Sequence, residues 1–114
     1  SVQEFGEIIR PFLGVRFVMV SGAIAEEEEL DVDYGALIVR GDSPMDIAVL
    51  PDSAAGRAGL KEGDVILSIG GIELRERTLG SVIRDQKVGA EVEVEFLRDG
   101  IEKKVMVVLD KAPE

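Results

Sequence analysis

The side chains that could do chemistry are limited from the start: the 114 residues contain no histidine and no cysteine. A Ser-His-Asp triad, a Cys-His pair and a thiolate zinc site are therefore beyond this chain alone, as is a disulfide. Ser68 or Ser81 with Lys61 is the remaining nucleophile–base combination, and nothing in their spacing supports it. Glu26 to Glu29, with Asp31 and Asp33, brings calcium to mind, but the run lacks the alternating ligands and the glycine of a calcium loop. It reads as the solvated face of a helix. Arg40-Gly41-Asp42 is turn chemistry, and Phe12-Leu13-Gly14-Val15, taken alone, is a turn leading into a strand. No metal and no cofactor is expected.

The elements that would position these residues follow from periodicity. Val2, Phe5, Ile8 and Ile9 have the spacing of a short amphipathic helix that Pro11 ends. Val15 to Val20 is rich in β-formers, with Val15, Phe17 and Met19 on one face. Ser21 caps a helix reaching about Leu30. A strand at Ala36 to Val39 precedes the turn formers 40–46, and a second extended piece follows at Ile47 to Leu50. Ser53 caps a short helix from Ala54 to Ala58, which Gly59 stops. Val65 to Ile69 is a buried strand turned by Gly70-Gly71 into Ile72-Glu73-Leu74. Thr78 caps a helix over Leu79 to Gln86, with Leu79, Val82 and Ile83 on one stripe. Val92 to Phe96, Asp99-Gly100 and Val105 to Leu109 form a closing hairpin.

Composition bounds the function classes. The formal charge is −10, from 13 basic and 23 acidic residues, so a phosphate backbone would be repelled and nucleic acid is a poor partner. The longest apolar run, Val105 to Leu109, is far shorter than the roughly 20 residues of a membrane helix, and no membrane insertion by this segment is expected. One domain with one modest core is the expectation at this length.

Arg10-Pro11-Phe12-Leu13-Gly14-Val15 and Ala58-Gly59-Leu60-Lys61-Glu62-Gly63-Asp64-Val65-Ile66 together resemble the PDZ domain of HtrA/Deg serine proteases. Pro51-Asp52-Ser53-Ala54-Ala55 and Leu97-Arg98-Asp99-Gly100 resemble the same pattern at the expected places. The resemblance covers about residues 10–110, with 1–9 as a linker or the tail of a preceding protease domain and 111–114 as a C-terminal tail. It implies a mainly β fold with short helices (α+β), a PDZ-like half-open β-barrel or sandwich in the bacterial, circularly permuted strand order.

The resemblance also implies a site. The amides of Leu13, Gly14 and Val15 would receive a peptide's terminal carboxylate, with Arg10 adding charge through water. The strand carrying Arg16, Phe17, Val18 and Met19 would pair with the peptide, and Phe12, Leu79, Ile83 and Gln86 would complete the groove. Leu79 stands where PDZ domains that select Ser or Thr two residues before the ligand's end carry histidine, so an apolar ligand residue is implied there. Two departures stand out: 41–48 looks like an insertion, and Ala54 replaces a common proline.

The implied function is binding of polypeptide C-termini or unfolded segments, in a bacterial cell-envelope protease whose own catalytic domain is a further partner. Two alternatives remain open: a PDZ domain of a site-2 or tail-specific protease, and an interaction or oligomerisation module whose groove is filled by a protein segment. A self-contained hydrolase is disfavoured by the missing His and Cys.

Overall fold

The computed structural model describes residues 9–113. The amphipathic segment expected at 1–9 lies, except for Ile9, outside the described residues. Eight strands and three helices follow in order: β1 (Pro11–Phe12), β2 (Phe17–Met19), α1 (Gly22–Glu27), β3 (Ala36–Ile38), α2 (Ala54–Ala58), β4 (Val65–Ile69), β5 (Ile72–Glu73), α3 (Leu79–Arg84), β6 (Glu91–Arg98), β7 (Ile101–Val108) and β8 (Asp110–Lys111). The main sheet runs β2-β3-β4-β6-β7, with β5 also paired to β4, and β1 pairs with β8 in a separate two-stranded sheet. All pairings are antiparallel. The sheets stay open and do not close into a barrel, and among the described residues β2 is a free edge.

Local chemistry explains the helices. Each starts on a hydroxyl cap: Ser21 accepts from the Ile24 amide, Ser53 from Gly56 and Thr78 from Ser81. Such a side-chain oxygen satisfies one of the amides that a helix's first turn leaves without a partner. Helix α2 ends on Gly59 in the left-handed conformation, φ 90°. In the hairpin β6–β7 all eight residues of each strand pair, and Asp99 and Gly100 turn with φ 54° and 78°. Positive φ at both central residues matches the twist of the flanking strands.

Strand β4 is buried along its whole length because it is covered on both faces. On one face Ile66 and Ile69 join Ile38, Phe96, Val94, Leu79 and Val82 in the main core, which α2 and α3 close. On the other, Leu37, Val65, Leu67 and Leu97 are covered by Ile24, Leu30, Val32 and Tyr34 from α1 and the segment after it. The acidic residues Glu26 to Glu29 face outward, exposed. Asp64, 1% exposed, is held by the Arg98 guanidinium at 2.9 and 2.7 Å and by the Lys61 amide at 2.9 Å. The same Arg98 also donates to the Gly59 carbonyl at 2.8 Å, tying the end of α2 to the hairpin. The hydrogen bond to Asp64 raises the Arg98 pKa further.

Two expected strands are shorter than their β-former runs. Val15 leaves the ladder and bridges Val49 instead, because Gly14 at φ 91° turns the chain between β1 and β2. Ile47 to Leu50 contributes only that bridge, with Arg16 N–H on Ala48 O at 2.8 Å and Leu50 N–H on Gly14 O at 3.0 Å. The segment ahead of it folds on itself, the Gly41 amide donating to Asp46 O at 2.8 Å and Asp46 N–H to Ser43 O at 2.9 Å. Arg16 anchors it to the sheet through Asp46 at 3.2 Å. Residues Asp110 and Lys111 form a strand with Pro11 and Phe12, a pairing with no local signal in the sequence.

Candidate peptide-binding groove

A cleft of about 270 Å³ opens between the loop 10–15, the start of β2 and α3. Arg10, Pro11, Phe12, Leu13, Gly14, Val15 and Phe17 line one side, and Leu79, Gly80, Ile83 and Arg84 the other, with Ala112 at its end. Helix α3 turns Leu79 and Ile83 inward at i and i+4, 2% and 7% exposed, while Val82 points into the core with no exposure. Leu79 and Ile83 therefore serve twice, as core and as cleft wall.

The loop's carbonyls are used and its amides are not. Leu13 O accepts from Ala55 N–H at 2.8 Å and Gly14 O from Leu50 N–H at 3.0 Å. Among the described residues, the N–H groups of Leu13, Gly14 and Val15 donate to no protein acceptor. Consecutive free donors beside a positive-φ glycine, φ 91° at Gly14, are the kind of backbone arrangement that can accept an anion. The glycine is dictated from behind: a Cβ on Gly14 would come closer than 3.0 Å to Cβ and Oγ of Ser53, the cap of α2. Its small size fits the loop against α2, rather than making room for a ligand.

Along β2 the hydrogen-bonding alternation sets which groups are free. Arg16 gives its N–H to Ala48 O and receives Val39 N–H at 3.0 Å, Val18 lies opposite Leu37, and Val20 N–H reaches Gly35 O at 2.8 Å. The intervening residues, Val15, Phe17 and Met19, then present their N–H and C=O to the open edge. Their side chains pack against the core, half-buried, whereas Arg16 and Val18 point outward.

Eight residues expected at the site therefore surround the cleft: Arg10, Phe12, Leu13, Gly14, Val15, Phe17, Leu79 and Ile83. Arg16, Val18, Met19 and Gln86 do not line it. Arg16 is paired with Asp46, and the Gln86 side chain folds back on Val82 O at 3.4 Å. Sequence reasoning missed Pro11, Gly80, Arg84 and Ala112. Gly80 and Arg84 had a signal, since they lie one step around the helix from Leu79 and Ile83 with the same i, i+4 spacing. Ala112 had none, because the pairing of β8 with β1 brings it in. The hydroxyls of Ser68 and Ser81 are bound to Glu95 at 2.8 Å and to Thr78 O at 2.9 Å.

A free sheet edge facing a helix across an apolar cleft, with a glycine loop at one end, defines the class of peptide-accepting β modules. The PDZ domain family model matches residues 11–109, and the chain belongs to that family. A DegP-like periplasmic serine endoprotease of Marinomonas sp. (strain MWYL1) is 37% identical over 114 residues, covering 99% of this chain and 23% of that protein. The chain thus spans less than a quarter of that relative's length. Among solved structures, the HtrA-type protease AlgW with a decapeptide superposes with a TM-score of 0.78 at 26% identity, over 97% of this chain and 32% of that one. The HtrA3 PDZ domain bound to a phage-derived ligand, FGRWV, has a TM-score of 0.74 at 17% identity, over 94% of this chain and 92% of that one. The family resemblance is thus to the PDZ domains of HtrA/Deg proteases.

Proposed function

We propose that this domain captures the C-termini or exposed apolar ends of polypeptides by adding them as a strand to β2, and that in its parent it recruits substrate to, or regulates, an HtrA/Deg-like serine endopeptidase of the bacterial cell envelope. The observation that carries this reading is the set of three unpartnered amides, Leu13 to Val15, at the end of the cleft walled by Leu79 and Ile83. The peptide's terminal carboxylate accepts those amides, its main chain pairs with the free groups of Val15 and Phe17, and its last side chain enters between Leu79 and Ile83. Main-chain bonds supply affinity and the cleft supplies selectivity. The peptides held by AlgW and by the HtrA3 domain support the same use of the fold here.

Catalysis is not assigned to this chain, which has no histidine to act as general base. Fluorescence polarisation with labelled peptides tests the proposal. A free-acid peptide with an apolar last residue should bind with Kd on the order of micromolar, about −8 kcal/mol. Its C-terminal amide should bind at least roughly tenfold more weakly, because a charged acceptor makes the stronger hydrogen bonds. Equal affinity for acid and amide would refute the assignment of the loop.

A further inference from the structure

The chain has eight arginines, and six of them hold a carboxylate: Arg16 with Asp46, Arg40 with Glu62, Arg57 with Asp110, Arg75 with Glu73, Arg77 with Asp85 and Arg98 with Asp64. Among the described residues, the two without such a partner are Arg10 and Arg84, and both stand on the same cleft. Carboxylates outnumber cations in this protein by 23 to 13, so an unpaired arginine is the exception, and two at one site call for an anion. The terminal carboxylate accounts for one anion at most, and the loop amides already receive it.

Arg84 is placed for a second. It follows Ile83 at the outer rim of α3, and a Cβ on Gly80 would meet its Nη1 at 3.5 Å, so the guanidinium lies back along the helix over Gly80. The adjoining carboxylate, Asp85, is taken by Arg77 at 2.6 Å. Glycine at 80 is the weakest helix former short of proline, and it leaves the rim open beside the guanidinium. A peptide strand seated in the cleft would pass along this rim and strip water from Arg84. An apolar or cationic ligand residue there leaves that charge uncompensated, whereas a carboxylate restores its hydrogen bonds.

We propose that Arg84 is a specificity-determining residue that pairs with an acidic side chain of the bound peptide, so that the domain selects C-termini carrying Asp or Glu among the residues just before the last. This rests on the peptide-binding reading above. The rest of the molecule, at a net charge of −10, repels acidic peptides, which makes the preference local to this rim and dependent on ionic strength.

The test uses the whole 114-residue chain and labelled free-acid peptides ending in Val, with Gln, Glu or Lys at each of the three positions before the last. At one of those positions Glu should bind about two- to fivefold more tightly than Gln at low salt, the range of an exposed ion pair, and the ratio should shrink at high salt. Arg84→Gln should remove the ratio, Arg84→Glu should turn it in favour of Lys, and Arg10→Gln should weaken Glu and Gln peptides together. Gln peptides that bind normally with no Glu preference at any position overturn this proposal alone, as does a preference that survives Arg84→Gln. Gln peptides that bind no better than their amides overturn the peptide-binding reading and this proposal with it.

Discussion

Replacing Gly14 by alanine tests whether the loop is shaped from inside the protein. Two costs add. At φ 91° an L-residue loses about 1–2 kcal/mol relative to its ordinary conformations. The new methyl also lands closer than 3.0 Å to Ser53 Cβ and Oγ, and Ser53 has nowhere to go. It is 5% exposed, its Oγ donates to Leu50 O at 2.7 Å and accepts from Gly56 N–H at 3.1 Å. Displacing it forfeits the α2 cap, worth about 0.5–2 kcal/mol. The sum is roughly 1.5–4 kcal/mol, against the roughly 5–15 kcal/mol that holds a domain together, so the variant should fold but be much weakened.

Gly59→Ala supplies the control, because Gly59 has φ 90° and nothing within 4 Å of its would-be Cβ. It should lose only the conformational part, about 1–2 kcal/mol. Urea unfolding followed by circular dichroism separates the two. With a slope of about 1–3 kcal/mol per molar, the Gly14→Ala midpoint should fall clearly further than that of Gly59→Ala at unchanged slope. A cycle with Ser53→Gly completes the test. Without the Ser53 side chain, Gly14→Ala should cost no more than Gly59→Ala, a non-additivity of about 0.5–2 kcal/mol. Equal losses in the two single variants, or additive losses in the cycle, would refute the packing argument and leave the glycine's role to the ligand.

Three further outcomes are expected. Asp64→Ala strands the Arg98 charge and should cost about 3 kcal/mol, the low end for a buried pair because the Arg98 side chain is 27% exposed; urea unfolding reads it, and a loss well under 1 kcal/mol would contradict the assignment. The Arg40 guanidinium, hydrogen-bonded to Glu62, holds that carboxyl below the usual range. A depressed carboxyl contributes above its unfolded pKa and stops contributing as pH falls through its folded pKa, so carbon-detected NMR titration should show the Glu62 midpoint rise in Arg40→Gln. Leu79→His should move ligand preference two residues before the end toward Ser or Thr, since an imidazole can bond a hydroxyl. It should also cost about 1–3 kcal/mol by burying a polar ring at a 2% exposed position; an unchanged peptide-library profile would remove Leu79 from the groove.

What the sequence made legible was local. The three hydroxyl caps, the Gly59 stop, the Gly70-Gly71 and Asp99-Gly100 turns and the alternation in Val92 to Phe96 each carry their reason within a few residues. The pairings that shape the site join distant segments: Pro11 and Phe12 with Lys111 and Asp110, and Val15 with Val49. The sequence makes Pro11 the expected end of a helix that lies outside the described residues; in the structure it opens β1, and a proline fits a short strand in a two-stranded sheet, where one side needs no ladder donor. The reading of Val15 to Val20 as one strand failed at Val15 for a related reason. A run of β-formers shows that a segment is extended, and which partner it finds is a tertiary decision. Arg84 was overlooked because an exposed arginine on a helix is ordinary by itself. It stands out only once the other arginines have been matched with their carboxylates.

The open edge of β2 supplies the remaining step. An unpaired strand edge invites association with any extended chain, and proteins usually cover it, charge it or shorten it. Here the edge is short, and α3 stands opposite it without covering it, since a helix has no free main-chain groups along its side to offer a strand. Arg16 and Val18 project outward, so a strand arriving at the edge meets the core-side residues Val15 and Phe17 and the α3 residues Leu79 and Ile83. The loop amides add a requirement that ordinary edges lack. Leu13 is 4% exposed, and an amide in such a position costs about 1–3 kcal/mol if left unmatched. A chain terminus satisfies all three donors with one carboxylate, whereas an internal segment brings a single carbonyl at that point. On the function proposed above, the same edge that would otherwise pair indiscriminately is biased toward peptides that end in the cleft.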